Sequence, residues 1–73
     1  MARIDWQEYK EFKKYSVKED KLLILIDFMK SYYNMTNPSD IYENFKDDEI
    51  ASMLLEKRGI KDAEDLENYI FRH

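Results

Sequence analysis

Carboxylates are the reactive groups that this sequence concentrates in one region. Residues 37–73 carry ten acidic and five basic side chains, a net charge of −5, whereas residues 1–36 carry a net charge of +1. Such a charge asymmetry favours a partner of opposite charge, although it does not bear on the fold. The candidate partner-binding residues are Asp40, Glu43, Asp47, Asp48, Glu49, Asp62, Glu64, Asp65 and Glu67.

Two interpretations of these carboxylates are open. Several lie where helices are expected to start, at 47–49 and 62–65, and there they would cap free amides and complement the helix dipole. Capping and ordinary solubility together account for most of the set. In the functional interpretation, the same carboxylates imitate the phosphates of DNA and bind a basic groove or channel, with an attraction that weakens as salt rises.

Lysines recur at three- to four-residue spacing in the first half of the chain. With Tyr9 and Tyr15 beside them, they would suit contacts to phosphates and stacking on bases. Acidic residues interleave with them, however, which favours a solvated face of mixed charge. Direct nucleic-acid binding is therefore not expected, and a small nucleic-acid-binding regulator remains the alternative. The lysines of this Lys10–Lys21 face are Lys10, Lys13, Lys14, Lys18 and Lys21.

Side chains suited to catalysis or metal binding are scarce. The chain has no cysteine, and its single histidine, His73, is the last residue, where an incidental role is expected. A single glycine excludes a glycine-rich phosphate loop. The acids at 47–49 lack the alternating ligands of a calcium loop. The sequence therefore predicts no enzyme activity, no metal site and no cofactor.

The elements that position these side chains are predicted to be helices only. Asp5 is the expected cap of the first helix, and Ser16 with Glu19 resembles a capping box that opens the longest one, at about 17–34. The wide apolar stripe of that helix predicts that it lies at the centre of the fold. A buried strand over the apolar run Leu22–Ile26 is the alternative, but the chain offers no second β-branched run to pair with it.

Two further helices are predicted after a break at 34–37. Asn37 caps a short helix that begins at Pro38 and ends at about residue 45. Either Asp47 or Asp48 caps the next helix, 49–58, in which the apolar residues expected to face inward are Ile50, Met53 and Leu54.

The last predicted helix, 63–71, follows a stop signal. Gly59 suits the left-handed residue that ends a helix, with Ile60 as the apolar contact after it, and Asp62 caps the final helix. The apolar rhythm across these two helices is that of a helix-turn-helix. The exposed residues of a recognition helix would here be mainly acidic and repelled by phosphates, so we interpret the two helices as packed together instead.

The whole chain, 1–73, is expected to be one all-α mini-domain of four to five short helices. A chain this short buries only about 60% of its unfolded surface. Six tyrosines exceed what so small a core can hide, and tyrosine is frequent at interfaces, so a homodimer interface with a second copy of the chain, or an interface with another partner, is predicted. The longest apolar run has five residues, whereas a membrane span needs roughly 20. With no signal-peptide pattern at its start, the protein is expected in the cytoplasm, away from membranes.

Length, acidity, absent cysteine and richness in lysine, isoleucine, tyrosine and asparagine resemble the small acidic host-takeover inhibitors of phages that infect low-GC bacteria. The resemblance is one of composition and size over the whole chain. It implies a DNA mimic in the host cytoplasm that binds a protein such as a sliding clamp or a polymerase. The leading hypothesis is a non-enzymatic acidic protein that inhibits or regulates a nucleic-acid-handling protein by binding its basic surface. A structural or antitoxin-like partner protein, with salt-insensitive apolar contacts, is a further alternative.

Overall fold

Five α-helices joined by short connections make up residues 4–72, the part of the chain that the computed structural model describes. No strand occurs among these residues, so the all-α prediction is confirmed and the strand alternative for Leu22–Ile26 is wrong. The interpretation of His73 concerns a residue outside the described range. The helices are α1 (Trp6–Lys14), α2 (Lys21–Tyr33), α3 (Pro38–Lys46), α4 (Glu49–Lys57) and α5 (Ala63–Arg72).

The central helix of the fold is α2, as predicted, and it supplies most of the core. Its side chains are buried on several sides because α1 and α4 both pack against it. None of the helices between residues 4 and 72 is long and apolar enough to cross a bilayer. The buried residues of α2 are Leu22, Ile24, Leu25, Ile26, Phe28 and Met29.

The start of α2 differs from the prediction. The helix begins at Lys21, because Asp20 caps it by accepting from the amides of Leu22 (2.9 Å) and Leu23 (3.4 Å). Ser16, the predicted cap, accepts only from the amide of Lys18 (3.2 Å) in a local turn. Both residues are good caps by type. Asp20 caps the helix here because tertiary contacts, described below, also hold its carboxylate.

The other predicted helix starts are confirmed. The carboxylate of Asp5 accepts from the amides of the first turn of α1, and the side chain of Asn37 accepts from the Ser39 amide (2.8 Å) before Pro38. Asp48, rather than Asp47, caps α4. Asp62 Oδ1 accepts from the Asp65 amide (2.8 Å) at the start of α5. Each of these caps accepts from amides of the residues that directly follow it, which is why the sequence predicts these helix starts.

The predicted stop after α4 is also confirmed. Gly59 has a φ of 69°, and its amide donates to the carbonyl of Glu56 (3.0 Å). The Ile60 amide donates to the Leu55 carbonyl (3.0 Å), which completes a Schellman motif. Ile60 is buried in the core, so this turn fixes the direction in which the chain leaves α4.

Replacing Gly59 with alanine is expected to lower the free energy of unfolding by about 1 kcal/mol. An added Cβ would meet no atom within 4 Å, so the cost is the left-handed backbone alone. Urea unfolding followed by circular dichroism measures it. Gly59→Asn is the matched variant, because asparagine tolerates this conformation better and should lose less. Equal losses in the two variants would contradict this explanation.

The arrangement of the last two helices corrects one prediction. The main partner of both α4 and α5 is α3, which contributes Ile41 and Phe45 to the core, and the two helices do not pack mainly on each other. Leu66, the buried residue of α5, belongs to the same core. The helix-turn-helix rhythm therefore reflects two helices that share a third one as their apolar support.

Candidate functional site

Four of the nine predicted partner-binding carboxylates bind groups of the protein itself, and three of them hold the fold together. Asp48 Oδ1 accepts from the amides of Ile50 and Ala51, each at 2.9 Å, while its Oδ2 accepts from Trp6 Nε1 at 3.1 Å. Asp62 caps α5 as described, and Asp65 Oδ2 accepts from the Lys61 amide at 3.0 Å. These carboxylates are already engaged by the protein's own donors.

The fourth is Glu43, which forms an ion pair with Lys46 (2.7 Å) on the surface of α3. The hydrogen bond from Lys46 and the charge of Glu43 raise the pKa of the lysine amine. Both side chains are half-exposed, and ion pairs of this kind contribute little to stability. Glu43 is therefore held loosely and stays accessible to a partner.

The other five carboxylates are exposed and make no hydrogen bond or ion pair with residues 4–72. On α3, Asp40, Glu43 and Asp47 are spaced by three and four residues and so lie along one side of the helix; we name them the α3 row. On α5, Glu64 and Glu67 form the α5 row. The helices α3 and α5 pack side by side, so the two rows lie on neighbouring helices. Glu49 is separate from them, in the first turn of α4.

The predicted Lys10–Lys21 face is divided by the fold. Lys14 pairs with Glu11 (3.3 Å), and Lys18 pairs with Asp27 (2.6 Å), so their charges are compensated locally. Lys10, Lys13 and Lys21 instead line a groove between α1 and α4. Acidic residues thus pair with two of the five lysines, as the interleaved charges of the sequence indicate. The other three lie beside apolar side chains in the groove, which the sequence does not indicate.

The groove between α1 and α4 has an apolar floor and a basic rim. Its volume is about 460 Å³, within the usual range of ligand-sized clefts. Lys57 joins the three lysines at its edge, and within residues 4–72 none of the four forms an ion pair. The residues of the floor are Trp6, Tyr9, Ile50, Met53 and Leu54.

Ile50 and Met53 correct a prediction, since both were expected to face inward. Their exposed fractions are 49% and 53%, and they face the groove, whereas Ala51 and Leu55 occupy the core. Most residues of α4 are apolar, so spacing alone fits more than one inward face. The packing of α4 against α2 and α3 selects the side that carries Ala51 and Leu55.

A polar cluster that the sequence analysis missed joins three helices. Arg58 Nη2 donates to Asp20 Oδ1 (3.0 Å), Arg58 Nε donates to the Tyr69 hydroxyl (3.1 Å), and that hydroxyl donates to Asp20 Oδ2. Burial alone would raise the pKa of Asp20, but the hydrogen bonds from Tyr69 and the cap amides, with the charge of Arg58, hold it below its usual value. Asp20 is 38 positions away from Arg58 in the chain and 49 positions away from Tyr69, so no local signal in the sequence indicates the cluster.

The cluster also shifts the pKa values of two tyrosines, its own member Tyr69 and the nearby Tyr9. Burial, and then the hydrogen bond to Asp20, raises the pKa of Tyr69. Burial and the charge of Asp20 raise the pKa of Tyr9, whose hydroxyl donates to the Lys21 carbonyl (3.2 Å). All these groups keep their ordinary charge at neutral pH. The cluster therefore acts as a structural clamp at the start of α2.

The part of the chain that the structure describes brings no three acidic, histidine or cysteine side chains together in a way that would hold a metal ion. No protein-family model, curated protein or solved structure matches the chain. Its function is therefore inferred from its own charges, grooves and contacts.

Proposed function

We propose that the protein is a non-enzymatic interaction protein that binds the basic surface of a nucleic-acid-handling protein and thereby inhibits or regulates it. The observation that carries the proposal is the α3 row, together with the α5 row. These carboxylates remain exposed after those with capping duties are set aside. Neither row contributes to the core, and only Asp40 and Glu64, in the first turns of α3 and α5, also complement a helix dipole.

The spacing of the α3 row supports imitation of a phosphate backbone. Side chains three or four residues apart on a helix lie about 5–6 Å from one another. Along one strand of DNA, one charge occurs about every 3.4 Å. The charges of the row are therefore less than twice as far apart as those of a DNA strand, and the neighbouring helix α5 carries the second row. A DNA-binding channel would attract such a surface, and salt would screen the attraction.

The test is binding of the whole protein, immobilised on a sensor, to a purified sliding clamp, RNA polymerase and nucleoid protein. We expect at least one of them to bind, to be displaced by duplex DNA and to lose affinity at least tenfold between about 50 and 200 mM salt. Salt-independent binding would contradict an electrostatic mimic and favour the structural or antitoxin-like alternative. If duplex DNA displaces the protein from none of the three, the proposal is contradicted.

Charge reversal locates the binding surface. Asp40→Lys with Asp47→Lys should weaken binding at least tenfold, since neither side chain has a structural partner among residues 4–72. Glu8→Lys with Glu19→Lys is the matched control, because it changes the net charge equally at exposed sites outside both rows. Its affinity should stay within about twofold of the native value, as expected for distant surface charges. Equal losses in both variants would show an effect of net charge alone.

A mobility-shift assay with the protein alone separates this function from the nucleic-acid-binding alternative. An acidic mimic should leave the migration of duplex and single-stranded DNA unchanged, because phosphates repel it. Retarded DNA would contradict the mimic and favour binding through the remaining lysines of the Lys10–Lys21 face.

A further inference from the structure

The groove between α1 and α4 is suited to an anionic partner that also carries an apolar side chain. Its floor is mostly apolar, with Trp6 fixed in place by its bond to Asp48 and with Ile50 and Met53 half-exposed. Its four lysines lack anionic partners within residues 4–72. Apolar surface left open in this way, within a charged rim, is typical of an interaction site.

The outer side of α5 has the complementary chemistry. Glu64, Glu67 and Phe71 are spaced by three and four residues, so they form one line along the helix. Phe71 is 78% exposed and follows the two carboxylates at the end of this line. The opposite side of α5 packs on α3 through Leu66, so this outer line points away from its own molecule.

The two surfaces also agree in length. The line from Glu64 to Phe71 rises about 10 Å along α5, and the nine residues of α1 beside the groove extend about 13 Å. The groove volume of about 460 Å³ leaves room for an aromatic ring, and Trp6 and Met53 on its floor offer favourable ring and sulfur contacts. The four lysines of the groove outnumber the two carboxylates of α5, so each carboxylate has a lysine available.

We propose that the groove between α1 and α4 binds the outer side of α5 from a second copy of this chain. Phe71 enters the floor of the groove, while Glu64 and Glu67 contact the lysines at its rim. Two such contacts, related by a two-fold axis, give a closed dimer. The dimer covers the α5 row and leaves the α3 row exposed, so within a dimer only the α3 row remains for the partner of the proposed function.

Sedimentation velocity on the whole protein at low salt tests this dimer. Glu64→Lys with Glu67→Lys reverses α5, and Lys10→Glu, Lys13→Glu and Lys57→Glu together change the net charge of the groove lysines from +4 to −2. Each variant alone should raise the dimer dissociation constant at least tenfold, and an equimolar mixture of the two should restore dimers, since each reversed surface then meets its opposite. Phe71→Ser should also weaken dimers. The Glu8→Lys with Glu19→Lys variant is the control and should dimerise as the native chain does, with circular dichroism confirming that every variant is folded.

Four results would each overturn the proposal. A native chain that remains monomeric up to about 0.5 mM would exclude a dimer of useful affinity. Native-like dimers from either reversed variant, or no dimers in their mixture, would place the interface elsewhere. Binding of a fluorescent single-stranded oligonucleotide that the reversed groove abolishes, with the native chain monomeric, would assign the groove to nucleic acid instead.

Discussion

Replacing Phe28 with alanine is expected to lower the free energy of unfolding by about 3–5 kcal/mol. Phe28 is fully buried in α2, and its ring contacts aromatic residues of α1 and of its own helix. Edge-on contacts join it to Tyr9 (centroids 5.8 Å apart) and Tyr33 (5.7 Å), and tilted ones to Phe12 (5.6 Å) and Tyr32 (4.6 Å). Removing the ring leaves a cavity and ends all four contacts.

The expected loss is comparable with the whole stability of so short a chain. At about 0.05–0.15 kcal/mol per residue, 73 residues give a free energy of unfolding of about 4–11 kcal/mol. Phe28→Ala should therefore unfold at a much lower temperature than the native protein, with a flattened thermal transition in circular dichroism. Tyr32→Ala is the matched control, since that ring stacks on Phe28 but is half-exposed, and it should lose less than half as much. Equal losses would show that Phe28 is not the centre of the cluster.

Most helix boundaries of this protein follow from local signals. Asp5, Asn37 and Asp62 cap the residues that come directly after them, and Gly59 ends α4 through bonds within one turn. A sequence contains all the information needed for such motifs. The start of α2 was not predictable in the same way, because Ser16 and Asp20 are both suitable caps. Arg58 and Tyr69, far along the chain, stabilise the Asp20 cap.

The candidate site could be predicted in composition but not in arrangement. Counting charges identifies the acidic second half, yet it does not separate Asp48, which Trp6 engages across the fold, from Asp47, which remains exposed. The groove could not be predicted from the sequence either, because it too depends on how the helices pack. Its floor depends on which apolar side of α4 turns inward, and the packing of α2 and α3 decides this.

Asp20 is expected to contribute more to stability than any other carboxylate within residues 4–72. Asp20→Ala should lower the free energy of unfolding by about 2–3 kcal/mol, since it removes a helix cap worth about 1 kcal/mol and charge-assisted hydrogen bonds to Arg58 and Tyr69. It also leaves the partly buried Arg58 guanidinium without its carboxylate. Asp20→Asn is the matched variant, because asparagine caps as well as aspartate but carries no charge. Urea unfolding at pH 7 should rank the native protein first, Asp20→Asn second and Asp20→Ala last, and an Asn variant as weak as the Ala variant would contradict a role for the charge.

The same charge makes stability depend on pH in a predictable direction. The pKa of Asp20 is lower in the folded protein than its ordinary value, so the folded state favours the ionised carboxylate. This stabilisation is fully present above the pKa of the unfolded chain, about 3.9, and is lost as the pH falls through the lower folded value. The stability difference between the native protein and Asp20→Asn should therefore be constant from about pH 7 to 5 and should shrink below about pH 4. Urea unfolding of both proteins between these values measures the difference. Parallel curves down to about pH 2.5 would mean that the ionised form of Asp20 is not favoured by folding.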